Sequence, residues 1–223
     1  MTESQILVHI KKKYKNIGTR NNYLKAVVFH FNCLKKPHVL ISQCISRNSI
    51  QLRQQQELQI KHKKYQNWDD VIKNLTKPVD IYDEIIIELY SNMAPRRIQD
   101  ILDIQWQSNP GNYITPYHIV LNQHKMSWRY GVHILNMTEK LQLLIEQLSQ
   151  SKNSAYVFSI KGQRISYSQF SNRILRLFGF RINQLRHSYA TSICEHANIR
   201  ERKRLAYNMG HSINTQELYY IKK

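Results

Sequence analysis

Acidic side chains are scarce in this chain. Its 223 residues hold 15 Asp and Glu against 33 Lys and Arg, a formal net charge of +18. An imbalance of that size argues for a polyanionic partner, most simply nucleic acid, with an anionic membrane surface as the competitor. Long apolar runs are also missing. No stretch has the length or apolarity of a membrane-spanning helix, and the N-terminus lacks the apolar core of a signal peptide. No membrane association is therefore expected. Cysteine is sparse: Cys33, Cys44 and Cys194 are scattered and odd in number, which fits a reducing, intracellular setting. Whether that is nucleus or cytoplasm stays open. The ten histidines show no Cys/His ligand spacing, so no metal site is expected. There are no internal repeats.

What remains is enough for a folded body. Hydrophobic residues make up 42% of the chain, and its length suits one large domain or two small ones. Charge divides it unevenly. Residues 1–66 carry 13 Lys and Arg against two acids, a net +11; the other 157 carry 20 against 13, a net +7. The expected division is a basic helical module at 1–64 and a larger domain at 65–223, with a linker at Lys64–Trp68.

In the first part, Ile6, Leu7 and Ile10 suit a short helix ending in KKKYK. Gly18-Thr19 reads as a break with Thr19 as N-cap. Tyr23, Ala26, Val27, Phe31 and Leu34 recur at helical spacing, with His30 on the same, partly buried face and Lys25 outside it. Pro37 ends that helix. Val39–Cys44 is an apolar patch, and Arg47–Lys64 is polar and helical.

In the second part, Trp68–Leu75 reads as a short helix. Pro78-Val79-Asp80 opens the next, whose Ile85–Leu89 run is apolar nearly all round and therefore central. A further helix follows Pro95 and runs through Ile101, Leu102, Ile104 and Trp106, with Arg97 in its first turn. A phosphate there would meet free backbone N–H groups as well as the side chain. Pro110-Gly111 is a turn. His118–Asn122 and Tyr130–Leu135 form a hairpin around a polar hinge holding Lys125. Thr138–Leu148 is an amphipathic helix and Tyr156–Ile160 a short strand. Ser166–Gly179 is a helix with a basic flank at Arg173 and Arg176. Ile199–Met209 and Asn214–Tyr220 close the series. The fold class expected is mostly α with a small antiparallel β-sheet, α+β.

The stretch Ile182–Thr191, INQLRHSYAT, places Asn183 and Arg186 three residues apart, on one helix face. Both suit a phosphate. MGHS with His211 follows, then Tyr219 and Tyr220. Arginine, histidine and a late tyrosine in this order resemble the C-terminal half of the tyrosine recombinase (phage-type integrase) family. Its signature there runs roughly H-x-L-R-H, G-H, then Tyr about nine residues on. Arg97-Ile98-Gln99-Asp100-Ile101 resembles the segment around that family's first arginine, with Arg96 as the alternative register. QHKMSWRYGVHIL resembles its lysine-bearing hairpin, with Arg129 as the alternative cation. The resemblance covers roughly residues 65–223 and implies a recombinase catalytic domain preceded by a short DNA-clamping helical module.

It also implies chemistry. A tyrosine oxygen can store phosphodiester energy in a covalent intermediate, without water or metal. Two arginines, Arg97 and Arg186, would bracket the phosphate, since the guanidinium fork binds two oxygens and stays charged. Lys125 would protonate the departing 5′ oxygen. His211 would bind the phosphate or help deprotonate the phenol. Asn183 stands where the family has histidine; it can donate a hydrogen bond but not shuttle a proton. Counting nine from His211 gives Tyr220 as nucleophile, with Tyr219 the alternative. His187 and His196 read as structural or surface residues. Lys11, Lys12, Lys13, Lys25, Arg173 and Arg176 are candidates for the DNA backbone. The expected activity is an integrase or recombinase of a mobile element or virus-like genome. It would act as a dimer to tetramer on double-stranded DNA, with no cofactor and no small-molecule ligand. A type IB topoisomerase, or a non-catalytic DNA-binding protein on the same fold, are the alternatives.

Overall fold

The computed structural model describes residues 1–62, 66–107 and 110–221; the side chains at 53, 56–62, 218 and 219 lie outside the description. The chain forms two compact units, Met1–Lys63 and Lys64–Lys223. Part of the expected linker, residues 63–65, falls outside the described residues. No helix among the described residues is long and apolar enough to cross a membrane.

The first unit is three helices: α1 (Glu3–Lys13), α2 (Ile17–Cys33) and α3 (Val39–His62). Thr2 and Gln5 form a capping box on α1. Asn16, not Thr19, caps α2, because its side chain reaches the Thr19 N–H. Gly18 therefore lies inside the first helical turn rather than at a break. Ile10, Leu24 and Ile41 are the buried centre, one from each helix, with Val27, Val28 and Phe31 packed on them. The inward stripe is thus rotated from the expected one: Tyr23, His30 and Leu34 are exposed. The chain leaves α2 at Lys35 in a left-handed conformation, before Pro37 is reached. The Val39 patch and the polar run after it form one continuous helix.

The second unit starts with α4 (Trp68–Lys73), α5 (Ile81–Ser91) and α6 (Ile98–Leu102). Asp80 caps α5 and accepts from the Asp83 N–H. The apolar run of α5 is central as expected, with Ile85, Ile86, Leu89 and Tyr90 all buried. α6 is shorter than its pattern suggested. Ile104 leaves it to begin a four-stranded sheet in the order β1 (Ile104–Gln105), β2 (Asn112–Ile114), β3 (His118–Leu121), β4 (His133–Asn136). β1 pairs with β2 in parallel, Ile104 opposite Asn112, so the sheet is mixed rather than wholly antiparallel. β3 and β4 form the expected hairpin, Leu121 opposite His133. Its tip carries a helical turn, α7 (Ser127–Tyr130), so Tyr130 lies outside the strand.

α8 (Glu139–Ser149) follows, capped by Thr138. A separate ribbon, β5 (Ser159–Ile160) and β6 (Gln163–Arg164), precedes α9 (Tyr167–Phe178). α9 has both ends specified, by the Ser166/Gln169 capping box and by Gly179 at φ 71°. α10 (Ile182–Cys194), α11 (Ile199–Asn208) and α12 (Ile213–Tyr219) complete the chain. Phe158, Phe170, Ile174, Leu177 and Leu185 join the α5 residues in one core. Each such side chain contributes about 1.5–3 kcal/mol through burial. A second, smaller cluster of Ala190, Cys194, Leu205 and Met209 ties α10 to α11, and Tyr220 packs against it. That cluster brings the end of the chain back to Arg186.

Arg173 and Arg176 are not free cations on a basic flank. Arg173 Nη1 lies 2.8 Å from Asp80 and 2.9 Å from Asp83, and Arg176 also bonds Asp83. Burial would raise the Asp83 carboxyl, but the Arg176, Val79 N–H and Arg173 hydrogen bonds outweigh it and hold its pKa below the ordinary value. These arginines staple α9 to the start of α5.

Candidate active site

α10 presents Arg186 inward, where its side chain is fully buried. Burying a guanidinium is costly unless its N–H groups are met. Here Nη1 donates to the Pro95 carbonyl at 2.6 Å, and Nη2 to the Met209 carbonyl at 3.1 Å. Nη2 also donates to His211 Nδ1 at 3.0 Å, and Nε to Tyr220 Oη at 3.3 Å. None of the four partners is an anion. Neutral oxygens and a nitrogen solvate the charge without cancelling it.

Arg97 joins the same place. It is the residue just before α6, and its Nη1 donates to the Gly210 carbonyl at 2.8 Å. Burial and the nearby Arg186 push its pKa down. Arg96, the alternative in that register, has different partners. Arg96 is buried beneath Gly210, bonding the Asn208 carbonyl, His133 and Asp100. Gly210 is obligatory in two respects. Its φ is 69°, and a Cβ there would lie 2.8 Å from Arg96 Cζ.

His211 has both ring nitrogens committed. A guanidinium only donates, so Nδ1 must accept from Arg186 and the proton resides on Nε2, which donates to Gln216 Oε1 at 3.1 Å. Gln216 is in turn fixed by its amide N–H groups, donating to Cys194 Sγ and the Arg202 carbonyl, both at 3.1 Å. Burial, then Arg186, Arg97 and Arg96, push the imidazole pKa down to about 3. His211 is therefore a neutral acceptor. Its ring lies flat on Tyr220, centroids 4.6 Å apart and planes 4° apart, with no ring nitrogen aimed at the phenol oxygen. With both nitrogens engaged, the ring links Arg186 to Gln216 and stacks on Tyr220.

Tyr220 sits at the end of α12. His187 also packs on its ring, centroids 4.7 Å apart and planes tilted 34°, a structural contact. Thr191 Oγ1 donates to the Tyr220 carbonyl at 3.0 Å. The Tyr219 side chain lies outside the described residues. Asn183 is exposed on α10. Lys125 is exposed on the β3–β4 connection, and Arg129 lies beside it over the Tyr130 ring. The structure thus gathers Arg97, Arg186, His211 and Tyr220 and leaves Asn183 and Lys125 outside their hydrogen-bond network. Sequence reasoning missed Gln216 and His187. A buried glutamine four residues before Tyr220, on its helix face, was the available signal for the first.

No protein-family model matches the sequence, and no curated protein matches it. Solved structures do. The chain is similar to XerA recombinase at 17% identity and a TM-score of 0.53, over 97% of this chain and 75% of that one. It is similar to the Tn1549 transposon integrase, solved with circular intermediate DNA, at 14% identity and a TM-score of 0.51, over 100% and 82%. At these identities the likeness is one of architecture, and the chain has the tyrosine recombinase fold.

Proposed function

We propose that this protein cuts and rejoins double-stranded DNA through a 3′-phosphotyrosyl intermediate, as a recombinase or integrase of a mobile element. Residues 1–64 serve as the DNA-clamping module, with Lys11, Lys12, Lys13 and Lys25 exposed for backbone phosphates, and 65–223 as the catalytic domain. One observation carries the reading: a phenol oxygen rests 3.3 Å from the Nε of a buried arginine that has no carboxylate partner among the described residues.

In the reaction Tyr220 Oη passes its proton to solvent water and attacks phosphorus. The Oη–P bond forms as the bond to the 5′ oxygen breaks, and that oxygen takes a proton from Lys125. Arg186 and Arg97 meet the charge on the non-bridging oxygens. His211, held by Gln216, orients Arg186 and supports the Tyr220 ring. Lys125 reaches the site when DNA is bound. Partner subunits assemble on the DNA as a dimer to tetramer.

A pool of random-sequence duplexes, each with a nick, tests this. A nick beside the cut lets the short strand diffuse away and traps the intermediate. A covalent adduct that survives denaturation, and disappears with Tyr220→Phe, is expected. An adduct undiminished in Tyr220→Phe would overturn the assignment. Strand exchange between two labelled duplexes separates recombinase from type IB topoisomerase. Non-catalytic DNA binding is the second reading, favoured by Asn183 standing in place of histidine; DNA binding without any adduct would establish it.

A further inference from the structure

The tip of the β3–β4 hairpin holds a feature the cleavage chemistry does not use. Trp128 on α7 is 78% exposed. Indole has one of the largest burial gains of any side chain, and this one is left in water. Its neighbours Lys125 and Arg129 are exposed as well. No acidic residue occurs between Asp103 and Glu139, so the tip carries an aromatic plane between two cations with no acid in the segment.

The tip is also braced. His124 is buried beneath it, with Nε2 bonded to the Gly131 carbonyl at 3.0 Å and Nδ1 accepting from the Met126 N–H at 3.3 Å. Tyr130 meets Tyr207 edge-on at 5.4 Å, and His133 lies over Tyr207 at 4.2 Å. His133 Nδ1 is 3.1 Å from Arg96 Nη1, and Arg96 adjoins Arg97. A chain of contacts therefore runs from the tip to the candidate active site. Bracing of this kind presents an exposed side chain in a fixed place.

We propose that this tip is a nucleobase-contacting element, in which Trp128 stacks on a DNA base while Arg129 pairs with a flanking phosphate and Lys125 is left to the scissile one. The chemistry follows from the parts. Every base offers a π-face, so aromatic stacking tolerates sequence, and cations on either side follow the backbone. The inference rests on the nucleic-acid reading above and deepens it. Strand exchange requires bases to leave their pairs, and an indole is a suitable surface to receive one. The same ring can also wedge between stacked pairs of an intact duplex.

Intrinsic fluorescence of the full chain separates these outcomes. Trp68 is buried and Trp106 half-buried, and both remain in Trp128→Phe, so subtracting that variant's spectrum isolates Trp128. Two labelled probes are used at low salt: a fully paired duplex, and the same duplex with a central unpaired stretch. Anisotropy reports binding. The expectation is that DNA lowers acrylamide quenching of Trp128 several-fold, and that Trp128→Ala weakens affinity roughly tenfold. Protection by both probes identifies wedging, and protection mainly by the second identifies capture of unpaired bases. Binding by anisotropy with Trp128 still fully quenchable on both probes overturns this inference and leaves the nucleic-acid reading intact. Absence of binding overturns both. Protection that appears without DNA as protein concentration rises assigns the tip to self-association and also overturns the inference.

Discussion

His211 allows the electrostatics of the site to be measured without any substrate. An imidazole in the unfolded chain titrates near 6.5, whereas in the folded protein its pKa is pushed down to about 3. The folded value is depressed, so between the two the unfolded chain holds the extra proton. The stability contribution is complete above about pH 6.5 and is lost as pH falls toward 3. A gap of about 3.5 pH units sets an upper limit near 5 kcal/mol. At pH 4.5 about two of those units are engaged, or nearly 3 kcal/mol. His211→Asn isolates the effect, since the amide oxygen can still accept from Arg186 but cannot titrate. Urea unfolding of both proteins at pH 7.5 and 4.5 should show the parent losing about 2–3 kcal/mol more than the variant. A difference that stays constant across that range refutes the reasoning. So does an imidazole that titrates between 6 and 7 in the folded protein by NMR, because Arg186, Arg97 and Arg96 would then not surround it as described.

Asp83→Asn leaves Arg173 and Arg176 without their shared buried anion, and should cost about 2–4 kcal/mol of stability by urea unfolding; a change under about 0.5 kcal/mol would place the α9–α5 staple among inert surface pairs. Gly210→Ala forces a left-handed residue and a 2.8 Å approach onto the Arg96 guanidinium. Its melting temperature should fall by several degrees, with a matching loss of DNA-dependent activity as the Gly210 carbonyl leaves Arg97; an unchanged melting curve would contradict the close packing at that turn.

Local chemistry made much of the fold legible. The helices α8 and α9 were legible at nearly their observed bounds, and the caps at Thr138, Ser166 and Gly179 set those bounds locally. The central α5 helix followed from its unbroken apolar run. α6 misled because Ile104 and Trp106 continue a helical spacing, while the parallel β1–β2 pairing that claims Ile104 depends on residues further along. Asn16 was overlooked as a cap because Gly18 looks like a break, although glycine is tolerated in a first turn. In the site, Arg186, His211 and Tyr220 were readable as residues, but their relations were not. Which of Arg96 and Arg97 faces the phenol depends on a glycine more than a hundred residues away in sequence. The commitment of both His211 nitrogens needs Gln216 and Arg186 at once. Stacking of His187 on Tyr220 is created only when α12 returns to α10, and one-dimensional spacing carries no trace of it.

This chain holds arginine in two ways, and the contrast bears on the site. Arg173, half-buried, and Arg176, exposed, pair with Asp80 and the buried Asp83, so their charge is met by carboxylates. Arg186 is buried deeper and, among the described residues, donates to carbonyls, an imidazole and a phenol. Arg97 beside it bonds a carbonyl, and the acid in this field, Asp100, pairs with Arg96. A site organised for stability alone would have placed a second carboxylate there, because an uncancelled buried cation is a standing cost. The lowered pKa values of His211, Arg97 and Arg96 are the visible form of that cost. Under the proposed reaction, a DNA phosphate would be the anion that removes it, with Tyr220 as its attacker. The same excess of positive charge that weakens the empty fold would then bind that phosphate and stabilise the charge that develops on it.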